Sequence, residues 1–249
     1  MNEEQKNDLE LLKKNEELKI LNEELDTFVY RSSHDLRAPL TSVLGLSSLI
    51  ENETDLHKIY YLNFLIKESV ERLLKVTDDM ADYSRNARTH VQEEEVDFSE
   101  LIDEAIASHH FMENFHRLKI NLDIQIPGKT VKLDKRRIAI LVNNSLSNAI
   151  KYQDTNKEYS FLNISALCEN NTLKLIFEDN GVGIAEEYHD KIFEMFYRAN
   201  AYSLGSGLGL YIVKGIVEKL NGKAEVISAP EKGTTFIFTF PLNQKSINK

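Results

Sequence analysis

The spacing of hydrophobic residues changes twice along this chain. Over residues 3–27, Leu11, Leu18 and Leu25 recur every seven positions, and Leu21 and Phe28 form a second row that Lys14 interrupts. Heptads of this kind mark a coiled-coil seam; so few of them, among so many Glu and Lys, fit a single solvated helix as well. The apolar stripe continues through Val29, Leu36, Leu40, Val43, Leu44, Leu49 and Ile50. Pro39 lies inside it and removes one backbone donor, so a bend or loosening is expected there. Residues 51–54 are polar and predict a turn. A second stripe runs from about 55 to 87 through Ile59, Leu62, Ile66, Val70, Leu73, Val76 and Met80. Two long helices with one apolar face each cannot bury those faces alone. Pairing two hairpins into a four-helix bundle solves the problem, which predicts a homodimer.

Beyond residue 88 the pattern shortens. Residues 89–97 read as a strand and 99–111 as a helix with Ser99 at its N-cap. A strand over 120–126 ends at Pro127-Gly128, a short strand follows over 130–133, and Asp134 caps a helix running to 152. Residues 161–168 and 173–178 form a hairpin around Glu169-Asn170-Asn171. A helix over 209–220 closes at Asn221-Gly222, and 224–228 pairs with 234–241 in a last hairpin. Helices and antiparallel strands in mixed order predict a two-layer α/β sandwich. The expected class is therefore α+β. Its divisions are a signalling helix or linker over 1–27, a helical hairpin over 28–90 and the sandwich over 91–249.

Composition narrows the function. At 249 residues there is room for two domains, and 42% hydrophobic with 28% charged residues is ordinary for a soluble protein. A formal charge of −10 argues against nucleic acid as the main partner. The single cysteine, Cys168, excludes an intramolecular disulfide and reads as buried filler in a reducing cytoplasm. No apolar run is long enough for a membrane span, and the polar first residues are unlike a secretory signal. A cytoplasmic protein is expected.

The candidate chemistry lies in four places. His34 sits on the solvent side of the first helix, followed at once by Asp35, within Phe28-Val29-Tyr30-Arg31-Ser32-Ser33-His34-Asp35-Leu36-Arg37-Ala38-Pro39-Leu40. An imidazole titrates near neutral pH and can act as a nucleophile, with the carboxylate beside it as base. Asn144, Asn148 and Lys151 share one helical face. An amide oxygen suits Mg²⁺, and a lysine neutralises phosphate. Asp179-Asn180-Gly181-Val182-Gly183 ends a strand with a carboxylate able to accept from an exocyclic amine. Gly205-Ser206-Gly207-Leu208-Gly209 opens a helix whose free amides face phosphate. No G-x-x-x-x-G-K-[ST] run occurs, so a P-loop is excluded. His57, His90, His109, His110, His116 and His189 read as ordinary surface or core residues.

This ordered series resembles a two-component sensor histidine kinase from about Asp26 onward. The resemblance implies an N-terminal hairpin dimerising as a four-helix bundle, then an ATP-binding sandwich of the gyrase, chaperone and histidine-kinase type. It implies that His34 is phosphorylated from ATP and passes phosphate to an aspartate on a response-regulator receiver domain. Asn148 would hold Mg²⁺, with Asn144, Lys151 and Tyr152 lining the nucleotide. Asp179 would read adenine beside Gly181 and Gly183. Arg198, at the end of Phe193-Glu194-Met195-Phe196-Tyr197-Arg198, would reach the terminal phosphate. Residues 199–204 would form a lid, and Gly205, Ser206, Gly207, Leu208 and Gly209 would cradle phosphates. Residues 1–27 would connect to an upstream sensor. One departure stands out: the fourth residue after the histidine is Ala38, where many relatives carry Thr or Asn to position a hydrolytic water, so weak phosphatase activity is expected. A gyrase- or chaperone-like ATPase usually has a Glu where this chain has Asn144. A regulatory scaffold with a degenerate pocket is opposed by the intact Asn148, Asp179 and glycines.

Overall fold

The computed structural model describes residues 3–198 and 206–242. It divides into two compact units, with the division between Met80 and Ala81. The first unit consists of two long helices. α1 spans Glu3–Ile50 and passes through Pro39 without interruption, one missing backbone bond being small among so many. At the turn, Glu53 accepts the amides of Thr54 and Asp55, both at 2.9 Å. Asp55 in turn accepts the His57 amide at 2.9 Å and starts α2, Leu56–Arg88.

The second unit is a sheet covered by helices. After the end of α2, its first elements are β1, Glu94–Asp97, and α3, Phe98–His109. β2, Leu118–Gln125, and β3, Thr130–Leu133, precede α4, Lys135–Lys151. β4, Ser160–Glu169, and β5, Thr172–Asp179, form a hairpin through Asn170 and Asn171, both at positive φ. α5, Gly209–Lys219, then β6, Lys223–Ala229, and β7, Gly233–Pro241, complete the described chain. The main sheet has the order β2-β4-β5-β7-β6, parallel between β2 and β4 and antiparallel elsewhere; β1 and β3 pair separately.

Alternation explains the layering. Leu162, Ile164 and Ala166 of β4, Leu173, Leu175 and Phe177 of β5, and Phe236, Phe238 and Phe240 of β7 are buried. They meet the apolar stripes of the helices, including Ile138, Leu141 and Leu146 of α4 and Ile212 and Ile216 of α5. α4 packs between α3 and α5, which puts its polar edge at the rim of the sheet.

Three local expectations change. Asp97, not Ser99, caps α3: its carboxylate accepts the amides of Ser99 at 2.9 Å and Glu100 at 3.3 Å. Starting one residue earlier lets the fully buried Phe98 join the apolar face of α3. The strand expected over 89–97 is confined to Glu94–Asp97, because the backbone before it serves another purpose. The carbonyls of Thr89 and His90 accept from Arg137, and the Gln92 amide donates to Asp134. Arg137 also reaches the Asn86 side chain, so the last turns of α2 belong to the second unit. Finally, β2 pairs with β4 in parallel, a crossover that periodicity does not reveal.

Candidate functional site

His34 lies in the first unit, on the outer surface of α1, with 74% of its side chain exposed. Its Nδ1 is 3.3 Å from Asp35 Oδ1, leaving Nε2 directed away from that partner. Pro39 has no N–H to give the Asp35 carbonyl, which fixes where the helix ladder skips a rung. Ala38 offers only a methyl group at the next position facing the same way.

In the second unit, the segments singled out in the sequence converge on one rim. α4 carries Asn144, Asn148 and Lys151, all half-buried, along its edge. Asn144 is held by its Nδ2 donating to the Ile140 carbonyl at 2.9 Å. Its Oδ1 lies so close to Gly209 that a Cβ there would approach to 2.5 Å and displace the Asn144 side chain where α5 begins beside α4. At the end of α4 the Tyr152 carbonyl accepts the Val182 amide at 3.0 Å, joining this helix to the Asp179–Gly183 loop. A side chain on Gly181 would collide with that same carbonyl. Gly183 has φ +72°, and a side chain there would run into the Ala229 backbone.

Asp179 is the last residue of β5. Its Oδ1 accepts the Gly181 amide at 2.8 Å and the Thr234 amide at 3.2 Å. Among the described residues no donor reaches Oδ2, so one carboxylate oxygen is reserved. Burial pushes the Asp179 carboxyl up, and Glu178 adds to the rise; the two amides and Lys157 oppose it, leaving the pKa at about 6. Asn180 locks the loop from its other side, accepting from the Phe161 amide at 2.8 Å and donating to the Tyr159 carbonyl at 3.0 Å. The arrangement suits a flat heterocycle with an exocyclic amine.

Phe196 is buried, and its amide donates to the Gly207 carbonyl at 3.0 Å, while Phe193 packs edge-on against Phe236. Phe196 belongs to the core and Phe193 is half-buried at its edge. Arg198 is exposed beyond them. The buried Ser206 accepts the Leu208 amide at 3.2 Å, and Gly207 takes φ +73°. Leu208, at the N-cap of α5, has no polar side chain to satisfy the first amides of the helix, which is the geometry of an anion site. Residues 199–204 of the expected lid and Gly205 lie outside the described residues.

Sequence reasoning missed three residues here. Thr234 looked like the start of a strand, yet its amide meets Asp179; the register Asp179↔Thr234 is visible only in the folded sheet. Ser228 accepts the Ile184 amide and donates to the Gly233 carbonyl, both at 2.8 Å, tying the loop to the β6–β7 turn. Lys157, in an unpatterned polar loop, places its ammonium among two carbonyls of the Asp179–Gly183 loop and one of the β6–β7 turn. No local signal announces the last two.

Comparison with known proteins agrees with this arrangement. Residues 24–88 match the His Kinase A (phospho-acceptor) domain, and residues 133–244 match the Histidine kinase-, DNA gyrase B-, and HSP90-like ATPase family. The chain is 30% identical over 228 residues to the methanogenesis regulatory histidine kinase FilI of Methanothrix harundinacea, covering 90% of this chain and 25% of FilI. It thus spans about a quarter of that relative's length. The solved histidine kinase AdeS of Acinetobacter baumannii superimposes with TM-score 0.67 at 25% identity, over 85% of this chain and 98% of AdeS. Histidine kinase ThkA, in its complex with the response regulator TrrA, gives TM-score 0.70 at 22% identity, over 93% of this chain and 67% of that one, a likeness of fold. A phospho-acceptor domain followed by an ATPase domain of this kind is the order in which the two family models match: the chain belongs to the sensor histidine kinases, of which it holds the phospho-acceptor and ATP-binding portion.

Proposed function

We propose that this protein is an ATP-dependent protein-histidine kinase that phosphorylates His34 and passes the phosphoryl group to an aspartate of a response-regulator receiver domain. The observation that carries this reading is the convergence of α4, the Asp179–Gly183 loop and the start of α5 on one rim, through the Tyr152–Val182 bond and the Asn144–Gly209 approach. Adenine sits against Gly181 and Gly183, donating its amine to Asp179 Oδ2. Asn144, Lys151 and Tyr152 flank the ribose and phosphates. Ser206, Gly207, Leu208 and Gly209 offer backbone amides, and Arg198 supplies charge at the terminal phosphate.

The donor set fits Mg²⁺: a single half-buried amide oxygen, from Asn148, suits a cation that keeps most of its ligands as phosphate and water. When bound, the ion offsets negative charge on the triphosphate. His34 Nε2 attacks the γ-phosphorus, a P–N bond forms, and the bond to the bridging β,γ-oxygen breaks to release ADP. The Nδ1 proton passes to Asp35, so the phosphoramidate forms without a trapped charge.

Leu40, Leu44 and Leu49 on α1 and Tyr60, Tyr61 and Phe64 on α2 are exposed in the single chain, which supports a homodimer through the hairpins. The ThkA–TrrA complex supports a receiver domain as the phosphate acceptor. The part of α1 over residues 3–27 would carry the signal from an upstream sensor, paired as a coiled coil. Among the described residues no helix is long and apolar enough to cross a membrane, in keeping with a catalytic portion that works in the cytoplasm.

The test is transfer of labelled γ-phosphate from Mg·ATP to the purified chain, with His34→Gln beside it. Alkali-stable, acid-labile label that disappears in the variant is the expected result. Full labelling of His34→Gln, or no label in the native chain despite ATP binding, would overturn the reading.

A further inference from the structure

Lys157 holds the most unusual position among residues with no assigned role. It stands in the loop after α4, and its Nζ donates to three backbone carbonyls: Asn180 at 2.6 Å, Glu231 at 2.8 Å and Gly181 at 3.3 Å. Asp154 lies beside it at 4.0 Å. An ammonium has three N–H donors, and here each meets one oxygen. The acceptors come from two separate segments, the turn after Asp179 and the β6–β7 turn.

What matters is which peptide units these are. In a trans peptide the carbonyl and the next amide point in opposite directions. The unit joining Asn180 to Gly181 gives its carbonyl to Lys157 and its N–H to Asp179 Oδ1, at 2.8 Å. The next unit, joining Gly181 to Val182, gives its carbonyl to Lys157 and its N–H to the Tyr152 carbonyl, at 3.0 Å. Both planes are thus gripped at both edges. Without the lysine each plane would be held at its N–H edge alone, and Gly181, which both units share, adds no side-chain restraint of its own. The Val182 carbonyl also accepts the Glu231 amide at 2.8 Å, so the β6–β7 turn is held in the same grip.

We propose that Lys157 is a positioning residue for nucleotide recognition: by fixing the two peptide units after Asp179, it orients that carboxylate toward the adenine amine. The role rests on reading the pocket as a nucleotide site. Lys157 touches no substrate; it acts through the loop. Its charge also favours the ionised Asp179, against burial and Glu178, the other charged group facing that carboxyl. The ionised form is the acceptor of the amine, so ATP binding holds above about pH 6 and weakens as pH falls through that value.

The experiment uses the full chain and measures ATP affinity by calorimetry across pH, with autophosphorylation kinetics alongside, for Lys157→Met, Lys157→Arg and Asp179→Asn. Lys157→Met is expected to weaken ATP binding about tenfold, the scale of one charge-assisted hydrogen bond, through KM with little change in kcat. Its pH midpoint moves upward, because a cation near Asp179 is gone. Lys157→Arg restores the midpoint but only part of the affinity, since a planar fork cannot meet three carbonyls as an ammonium does. Asp179→Asn shows no titration near pH 6. Native affinity and midpoint in Lys157→Met, with Asp179→Asn impaired, would overturn the role of Lys157 alone. Absence of ATP binding by the native chain would instead sink the nucleotide reading, and equal binding by the native chain and Asp179→Asn would sink Asp179 as the adenine acceptor and with it the role of Lys157. If Lys157→Met does not fold, the midpoint of Lys157→Arg decides: a shift away from the native value under retained charge counts against the proposal.

Discussion

At the scale of single residues, position on a helix and the atoms within reach decide the chemistry. His34 and Asp35 are neighbours in sequence, so their pairing at 3.3 Å needs no tertiary help and was legible at once. Ala38 is equally legible: one turn on, a methyl group stands where a hydroxyl or amide could hold water. If the chain acts on a receiver domain as proposed, replacing Ala38 with Thr is expected to raise the rate at which that phosphorylated domain is dephosphorylated by about a hundredfold, the low end of what one added general-base or water-positioning contact supplies. Autophosphorylation should stay close to native. The phosphatase rate is read with ADP present, and an unchanged rate in Ala38→Thr would remove the explanation. Asp179 was readable as a carboxylate at a strand end. Which of its oxygens faces inward, and that Thr234 shares it, was not, because that amide lies 55 residues away.

At the scale of elements, caps and turns carried most of the prediction. Asp134 was expected to cap α4 and does, accepting the Arg137 amide at 3.0 Å. The structure adds what the buried carboxylate does next. It pairs with the Arg137 guanidinium, which also donates to Asn86 Oδ1 at 2.8 Å and the Thr89 carbonyl at 2.8 Å. Both charged groups are nearly inaccessible to water. Burial alone would raise the Asp134 carboxyl, but the amides of Gln92 and Arg137 and the guanidinium outweigh it and hold it below the ordinary value. Arg137→Met leaves that buried carboxylate with its two backbone amides but no cation, and takes the guanidinium donor from the Asn86, Thr89 and His90 carbonyls. A loss of roughly 3–5 kcal/mol is expected, seen as a lower melting temperature at pH 7. Because the folded carboxyl titrates below the unfolded one, the native pair stabilises above the ordinary carboxylate pKa, and that contribution disappears as pH falls through the folded value. The gap between native and variant should therefore narrow in acid; a constant gap would argue against the pairing.

At the scale of the whole molecule, the two units meet different fates. The sandwich closes its own core: the apolar faces of α3, α4 and α5 and the inner face of the sheet bury one another. The hairpin keeps Leu44 and Phe64 exposed, which a second copy can cover. Burying such a side chain is worth roughly 1.5–3 kcal/mol. Leu44→Glu with Phe64→Glu should weaken self-association about a hundredfold or more, measured by sedimentation over a concentration series. A native chain that stays monomeric at high concentration would rule out the hairpin dimer.

What the sequence determined by itself is whatever local spacing encodes. Period fixes the helices and strands, Asn and Gly mark the turns, and the ordered boxes around His34, Asn148, Asp179 and Gly207 point to the family. Each of these is a short-range property of neighbouring residues. Tertiary structure decided the rest: the parallel pairing of β2 with β4, the passage of the last turns of α2 into the second unit, and the grip of Lys157 on carbonyls 23 and 74 residues away. The physical reason is the same throughout. A buried donor must find an acceptor somewhere, and no periodicity in the chain says where.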